Sequence, residues 1–124
     1  MDNSGSIEED EFTLMKNFVS ALVGVMDVDS GDTRVGAVVY GNIVHETFHL
    51  NDYTTTADVQ AAIQAFPHRT GSTNTGGALQ YAREVSLIAA NGGRSTAPDV
   101  VVVLTDGNSN TGPDLAVSRE HGMI

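Results

Sequence analysis

The chain has 124 residues, enough for one domain and too few for two. Six Lys and Arg against sixteen Asp and Glu leave a net charge of −10. That balance excludes nucleic acid and anionic lipid as simple electrostatic partners, and suits a cation or a basic protein. With no cysteine, a disulfide scaffold, a zinc finger and a thiol nucleophile are excluded as well. No apolar run reaches membrane-spanning length, so direct membrane insertion is not expected. Met1-Asp2-Asn3-Ser4-Gly5 has neither the basic start nor the apolar stretch of a signal peptide. The chain therefore reads either as cytosolic or as an internal piece of a longer protein.

The first predicted element is a helix over 7–26. Met15, Phe18, Val19, Leu22, Val23 and Met26 recur at three- and four-residue spacing on one face. Ser6-Ile7-Glu8-Glu9 reads as a capping box, and the acidic run to Glu11 favours the positive helix end. A strand is predicted over Arg34 to Tyr40, then a two-residue turn at Gly41-Asn42, then an antiparallel edge strand from Ile43 to Leu50. His45 and His49 share a face of that strand. Solvated edge positions are the simpler reading, a zinc pair the sharper one.

Thr55-Thr56-Ala57-Asp58 starts a second helix, with Val59, Ala62, Ile63 and Phe66 inward and Pro67 as its stop. A third helix is predicted from about Gly76 to Ala89, stopped by Asn91-Gly92-Gly93. Asp99 to Thr105 is the most apolar strand. Its unbroken run Val100-Val101-Val102-Val103-Leu104 calls for burial on both faces, as in the centre of a parallel sheet. A last helix is predicted over 114–121. The alternation predicts an α/β class with a Rossmann-like, doubly wound, mostly parallel sheet and one antiparallel edge strand.

Three loops stand where an α/β sheet binds its ligands. Asp2-Asn3-Ser4-Gly5-Ser6 sets a carboxylate and two hydroxyls at alternate positions, where a curved loop can converge them on one cation. Gly71 to Gly77 flanks hydroxyl residues with glycine at a helix start. It lacks the lysine and the glycine spacing of a P-loop. Asp106 ends the most buried strand, where a carboxylate is costly unless it is paired or faces a cation. Taken singly, each of the first two also reads as turn and helix cap, and Asp106 as a turn initiator. Together they supply only oxygen donors, the ligand type of Mg²⁺.

Asp2-x-Ser4-x-Ser6, then Thr73 in Ser-Thr-Asn-Thr-Gly-Gly-Ala-Leu, then Thr105-Asp106-Gly107, resembles the von Willebrand factor type A (vWA) domain and its metal-ion-dependent adhesion site. The resemblance runs through nearly the whole chain in order. It implies that Ser4, Ser6 and Thr73 act as direct or switchable metal ligands. Asp2 and Asp106 then act largely through metal-bound water. A divalent cation is implied, Mg²⁺ first with Mn²⁺ and Ca²⁺ as alternatives. The implied partner is a protein, collagen or another matrix protein, that supplies an acidic residue. The implied setting is extracellular, and the function is adhesion rather than catalysis.

In that family the first motif ends a central apolar strand, whereas here only Met1 precedes Asp2. The resemblance thus implies that residues 1–124 are a single, partial domain without its first central strand and its C-terminal elements. Two other functions compete. One is a metal-dependent hydrolase or phosphoryl-transfer enzyme using Asp2 and Asp106, although no His or Lys sits in the motif loops as a general base. The other is a structural matrix domain with an unused metal site.

Overall fold

A computed structural model describes residues 1–106. The first helix, α1, spans Glu9–Gly24. Its cap is Glu8 and not Ser6. The Glu8 side chain accepts from the Glu11 backbone, and the Glu11 carboxylate accepts from the Glu8 N–H at 2.8 Å. The capping box thus lies two residues later than expected, which leaves Ser6 free of capping duty. Phe12 and Val23 are buried, with Met15, Val19 and Met26 packed beside them. Phe18, expected on the inner face, is 56% exposed.

Strands β1 (Ala37–Tyr40) and β2 (Val44–Phe48) form an antiparallel hairpin. Val39 pairs with Glu46 and Tyr40 with Val44, so His45 is an extra residue in a bulge. The connection is therefore three residues, Gly41 to Ile43, and not two. The bulge interrupts the strict alternation that would have set His45 and His49 on one face. His49 lies beyond β2, in a turn where its N–H donates to Asp52 at 2.7 Å.

Helix α2 (Thr56–Gln64) starts as expected, with the Thr55 hydroxyl accepting from the Asp58 N–H. Val59 and Ile63 are completely buried. They pack with Ile7, Phe12, Val23, Val28, Val39, Phe48 and Phe66 in the main core. Polar side chains tie α2 to α1: Gln60 donates to the Ser20 carbonyl at 2.8 Å, and Lys16 to the Gln64 carbonyl at 3.3 Å.

Helix α3 (Thr75–Tyr81) is shorter than the predicted helix because its next turn, Ala82–Ser86, widens to π geometry. The Leu87 N–H reaches back five residues to Ala82. One extra residue per turn rotates the face, so Ser86 is buried, and Val85 is not fully so. Gly92 (φ 98°) ends the following short turn, as a stop signal should.

The expectation of a mostly parallel, doubly wound sheet is overturned. Among the described residues there is one sheet, two-stranded and antiparallel, flanked by helices. Parallel pairing is confined to an isolated bridge between Asp2 and Tyr40. Val100 to Leu104 forms no strand, and Val100 and Val102 are 70% and 53% exposed. The physical reason is a missing ladder. Regular pairing needs successive rungs, and among the described residues the backbone of this run takes only the Asp2 N–H, at Leu104. The helix predicted over 114–121 lies outside the described residues.

Candidate metal centre

Residues 1–3 sit at the end of β1 and hold the first loop in place. The Met1 amine donates to the Val38 carbonyl at 2.8 Å, and the Tyr40 N–H donates to Met1 at 3.1 Å. The Asn3 N–H donates to Tyr40 at 2.7 Å, and on the other side the Asp2 N–H donates to Leu104 at 2.8 Å. These bonds bring the Asp2–Ser6 loop against residues 104–106.

From here the side chains divide by parity. Asn3 and Ile7 face the protein, with the exposed Gly5 between them. The Asn3 amide donates to the Pro67 carbonyl at 2.9 Å and accepts from the Arg69 N–H at 3.0 Å. The Gly5 N–H donates to Gly71 at 2.7 Å, and Ile7 joins the core. A Cβ on Gly5 would lie 3.3 Å from the Gly71 carbonyl oxygen, so glycine permits the close approach of the two loops. Asp2, Ser4 and Ser6 form the other set. Asp2 Oδ1 accepts from the Ser4 N–H at 2.9 Å, while Asp2 Oδ2 accepts from the Thr105 hydroxyl at 2.7 Å. The Ser4 and Ser6 hydroxyls are 3.2 Å apart, and Ser6 donates to Asp106 Oδ2 in a close contact. Asp2 and Ser4 are completely buried, whereas Ser6 and Asp106 are exposed. The cluster therefore runs from the interior to the surface.

Thr73 is buried in the second loop, two residues past Gly71. That loop is pinned twice, by the Gly5–Gly71 bond and by the Asn74 N–H donating to Gly41 at 2.8 Å. Asn74 also caps α3 through the Gly77 N–H. Behind the cluster, the Tyr40 hydroxyl and Thr75 Oγ1 are 2.9 Å apart. Burial is the main cause that pushes the Tyr40 phenol above its ordinary pKa. The Asp2 and Asp106 charges add to the rise, and hydrogen bonds with Thr75 and Thr105 oppose it.

The structure thus joins Ser4, Ser6 and Asp106 directly and couples Asp2 to Thr105. It places Thr73 in the loop bonded to the first. Sequence reasoning had not singled out Asn3, Thr75 or Tyr40. A polar residue between Asp2 and Ser4, with alternate positions facing away, was the available signal for Asn3. No group of three or more His, Cys, Asp or Glu positioned for a metal occurs among the described residues. Glu46 is instead engaged by Arg69, whose Nε donates at 2.7 Å. This is a set of hydroxyls and carboxylates, not of imidazoles.

Known proteins match this chain in sequence and fold. The sequence profile of the von Willebrand factor type A domain matches residues 1–121. The chain belongs to the vWA family. Mouse von Willebrand factor A domain-containing protein 1 is 36% identical over 98 residues, 79% of this chain and 24% of its own length. Human matrilin-4 is 37% identical over 97 residues, 78% of this chain and 16% of its length. The chain thus spans a quarter or less of these relatives. Proximal thread matrix protein 1 from the mussel byssus superposes on 99% of the vWA chain, with a TM-score of 0.90 and 30% identity, over 34% of its own length. A second structure of that mussel protein, with a zinc-occupied MIDAS motif, superposes with a TM-score of 0.85. By name the mussel relative is a thread matrix protein of the byssus, which agrees with an extracellular location and a non-enzymatic role.

Proposed function

We propose that residues 1–124 are one vWA unit of an extracellular matrix protein that binds a protein partner through a divalent cation. Asp2, Ser4, Ser6, Thr73 and Asp106 hold the cation in this reading. The observation that carries it is the Ser4–Ser6–Asp106 chain of oxygens, which rises from a buried base to the surface. Hydroxyls and carboxylates suit a hard cation, and a site with few charges keeps positions for water or an incoming carboxylate. The bound cation supplies Lewis acidity and positive charge, which attract an acidic side chain of the partner. Mg²⁺ fits an all-oxygen set, with Mn²⁺ and Ca²⁺ as alternatives. The mussel relative's zinc makes Zn²⁺ a further candidate. Collagen is the partner to try first.

The test is titration calorimetry of the protein with MgCl₂, MnCl₂, CaCl₂ and ZnCl₂, followed by binding to immobilised collagen with and without EDTA. The expected outcome is saturable binding of at least one ion that Ser4→Ala or Asp106→Ala abolishes. Collagen binding that survives EDTA and both substitutions would favour a structural matrix domain with an unused metal site.

A further inference from the structure

Tyr40 is the last residue of β1 and is buried beneath the cluster. It touches all three loops from which the candidate ligands come. Its backbone holds the first loop, since its carbonyl accepts from the Asn3 N–H and its N–H donates to Met1. Its phenol lies 2.9 Å from Thr75 Oγ1, in the first turn of α3 and two residues past Thr73. The same phenol hydrogen-bonds with Thr105, the neighbour of Asp106. Thr105 in turn donates to Asp2 Oδ2 at 2.7 Å. Each hydroxyl has one proton, and this fixes the direction of the whole chain. A carboxylate only accepts, so the Thr105 proton points at Asp2 and the Thr105 oxygen accepts from the phenol. The phenol proton then points at Thr105, and the phenol oxygen accepts from Thr75. Donation therefore runs from Thr75 to Tyr40 to Thr105 to Asp2. Bonds aligned in this way polarise one another and end on the one charged group in the chain. The phenol itself stands on a strand, with Tyr40 paired to Val44 across the hairpin.

We propose that Tyr40 is a positioning residue of the cation site: its phenol keeps the loops of Thr73 and Asp106 in register with the first loop and aims the Thr105 hydroxyl at the Asp2 carboxylate. The proposal rests on the reading of Asp2, Ser4, Ser6, Thr73 and Asp106 as the residues that hold the cation. The phenol acts through Thr75 and Thr105 and not on the ion. Ligands drawn from three loops converge only if the loops keep their spacing, and a buried post on a paired strand sets that spacing. Groups that orient ligands from behind tune affinity for the metal almost as strongly as the ligands do. The chain also works in reverse. Charge brought to Asp2, directly or through water, is felt at the phenol by way of Thr105.

The experiment titrates the full chain, unaltered and as Tyr40→Phe, with MgCl₂, MnCl₂, CaCl₂ and ZnCl₂ in a calorimeter. Tyr40→Phe keeps the ring and removes only the hydroxyl. It should weaken the ion that the unaltered chain binds by about 10–100-fold. Urea midpoints in EDTA run in parallel, because a merely structural phenol would lower the midpoint and leave the affinity of the folded molecules alone. Equal affinity in the two chains overturns the proposal. Thr75→Val is the second variant, and it decides the matter if Tyr40→Phe does not fold. It should weaken the same ion, and unchanged affinity there overturns the proposal too. The double substitution should cost no more affinity than the larger single one, since both break the same chain. Additive losses would mean that the two residues act separately, and would overturn it. A third readout is spectroscopic. The protein has three tyrosines and no tryptophan, so an ultraviolet difference spectrum on adding the ion reports on tyrosine. The spectrum should appear in the unaltered chain and vanish in Tyr40→Phe. If it persists in the variant, it belongs to Tyr53 or Tyr81 and the coupling through Thr105 fails. Absence of cation binding by the unaltered chain is a different result. It overturns the reading of the site itself, and this proposal with it.

Discussion

The two sides of β1 have very different interiors. On the side of α1 and α2, nine buried residues form one core. Toward α3 and residues 100–104 only Leu79 and Ala82 do so among the described residues, beside a groove of about 250 Å³. Composition does not explain this, because the run Val100 to Leu104 is more apolar than any stretch of α1 or α2. What differs is the partner. Helix α1 finds α2 and the hairpin, whereas among the described residues the valine run finds one backbone bond, from Asp2. A hydrophobic pattern states what a segment needs to bury, and the rest of the fold decides whether it does.

The largest effects should separate the two sides. Ile63→Ala removes a completely buried side chain from the main core and should cost about 2–5 kcal/mol. Val102→Ala, at a position 53% exposed, should stay within about 0.5 kcal/mol in urea unfolding. Equal losses would show that the valine run is packed in solution and would erase the contrast. Next comes the seam between the first loop and its neighbour. Asn3→Ala leaves the Pro67 carbonyl and the Arg69 N–H without their bonds, at about 1–3 kcal/mol in the same measurement. An unchanged midpoint would mean that water replaces the amide there.

Much of the close-packed side was legible in the sequence. The α2 stripe of Val59, Ala62, Ile63 and Phe66, the Thr55 cap and the Pro67 stop are all local signals, and local signals survive folding. The hairpin was legible, but its bulge was not, since an extra residue at His45 follows from how Tyr40 meets Val44. Phe18 was misjudged because helical spacing gives the width of an apolar face and not the position of its partner. At the candidate metal centre the three loops could be read from residue types, and the parity of the first loop follows from alternation. The Asn3 and Tyr40 contacts depend on loops more than thirty residues away, which no local pattern encodes. The mostly parallel sheet failed for a related reason. Val100 to Leu104 has the composition of a central strand, but a strand is defined by what pairs with it.

Two glycines offer a smaller, cleaner contrast. Gly92 (φ 98°) and Gly71 (φ 133°) both occupy conformations that an alanine adopts only under strain. A Cβ on Gly92 would also meet the Asn51 nitrogen at 2.7 Å, whereas on Gly71 its nearest contact is 3.5 Å away. Gly92→Ala should therefore destabilise more than Gly71→Ala, whose strain alone costs about 1–3 kcal/mol. Gly71→Ala should act instead on cation affinity, because its loop carries Thr73. If the two variants melt alike, backbone strain and not the collision dominates.

A pH slope is expected that belongs to the open side alone. Burial, opposed by the Asp2 charge, lowers the Met1 amine from its usual 8.0 to about 5. Between those values the unfolded chain holds a proton that the folded chain has released. The unfolded state binds more protons there, so stability rises with pH from about 5 to 8 and falls as the solution is acidified. The slope is at most on the order of 1 kcal/mol per pH unit. Urea midpoints across that range, for the free and the acetylated amine, isolate this group. Acetylation removes the titrating nitrogen but leaves an N–H for the Val38 carbonyl, so the slope should flatten and the bond remain. An unchanged slope after acetylation would place the titration elsewhere. A steeper slope in Val103→Ala would contradict the assignment too, because opening the groove to water should bring the amine back toward its ordinary value and weaken the pH dependence.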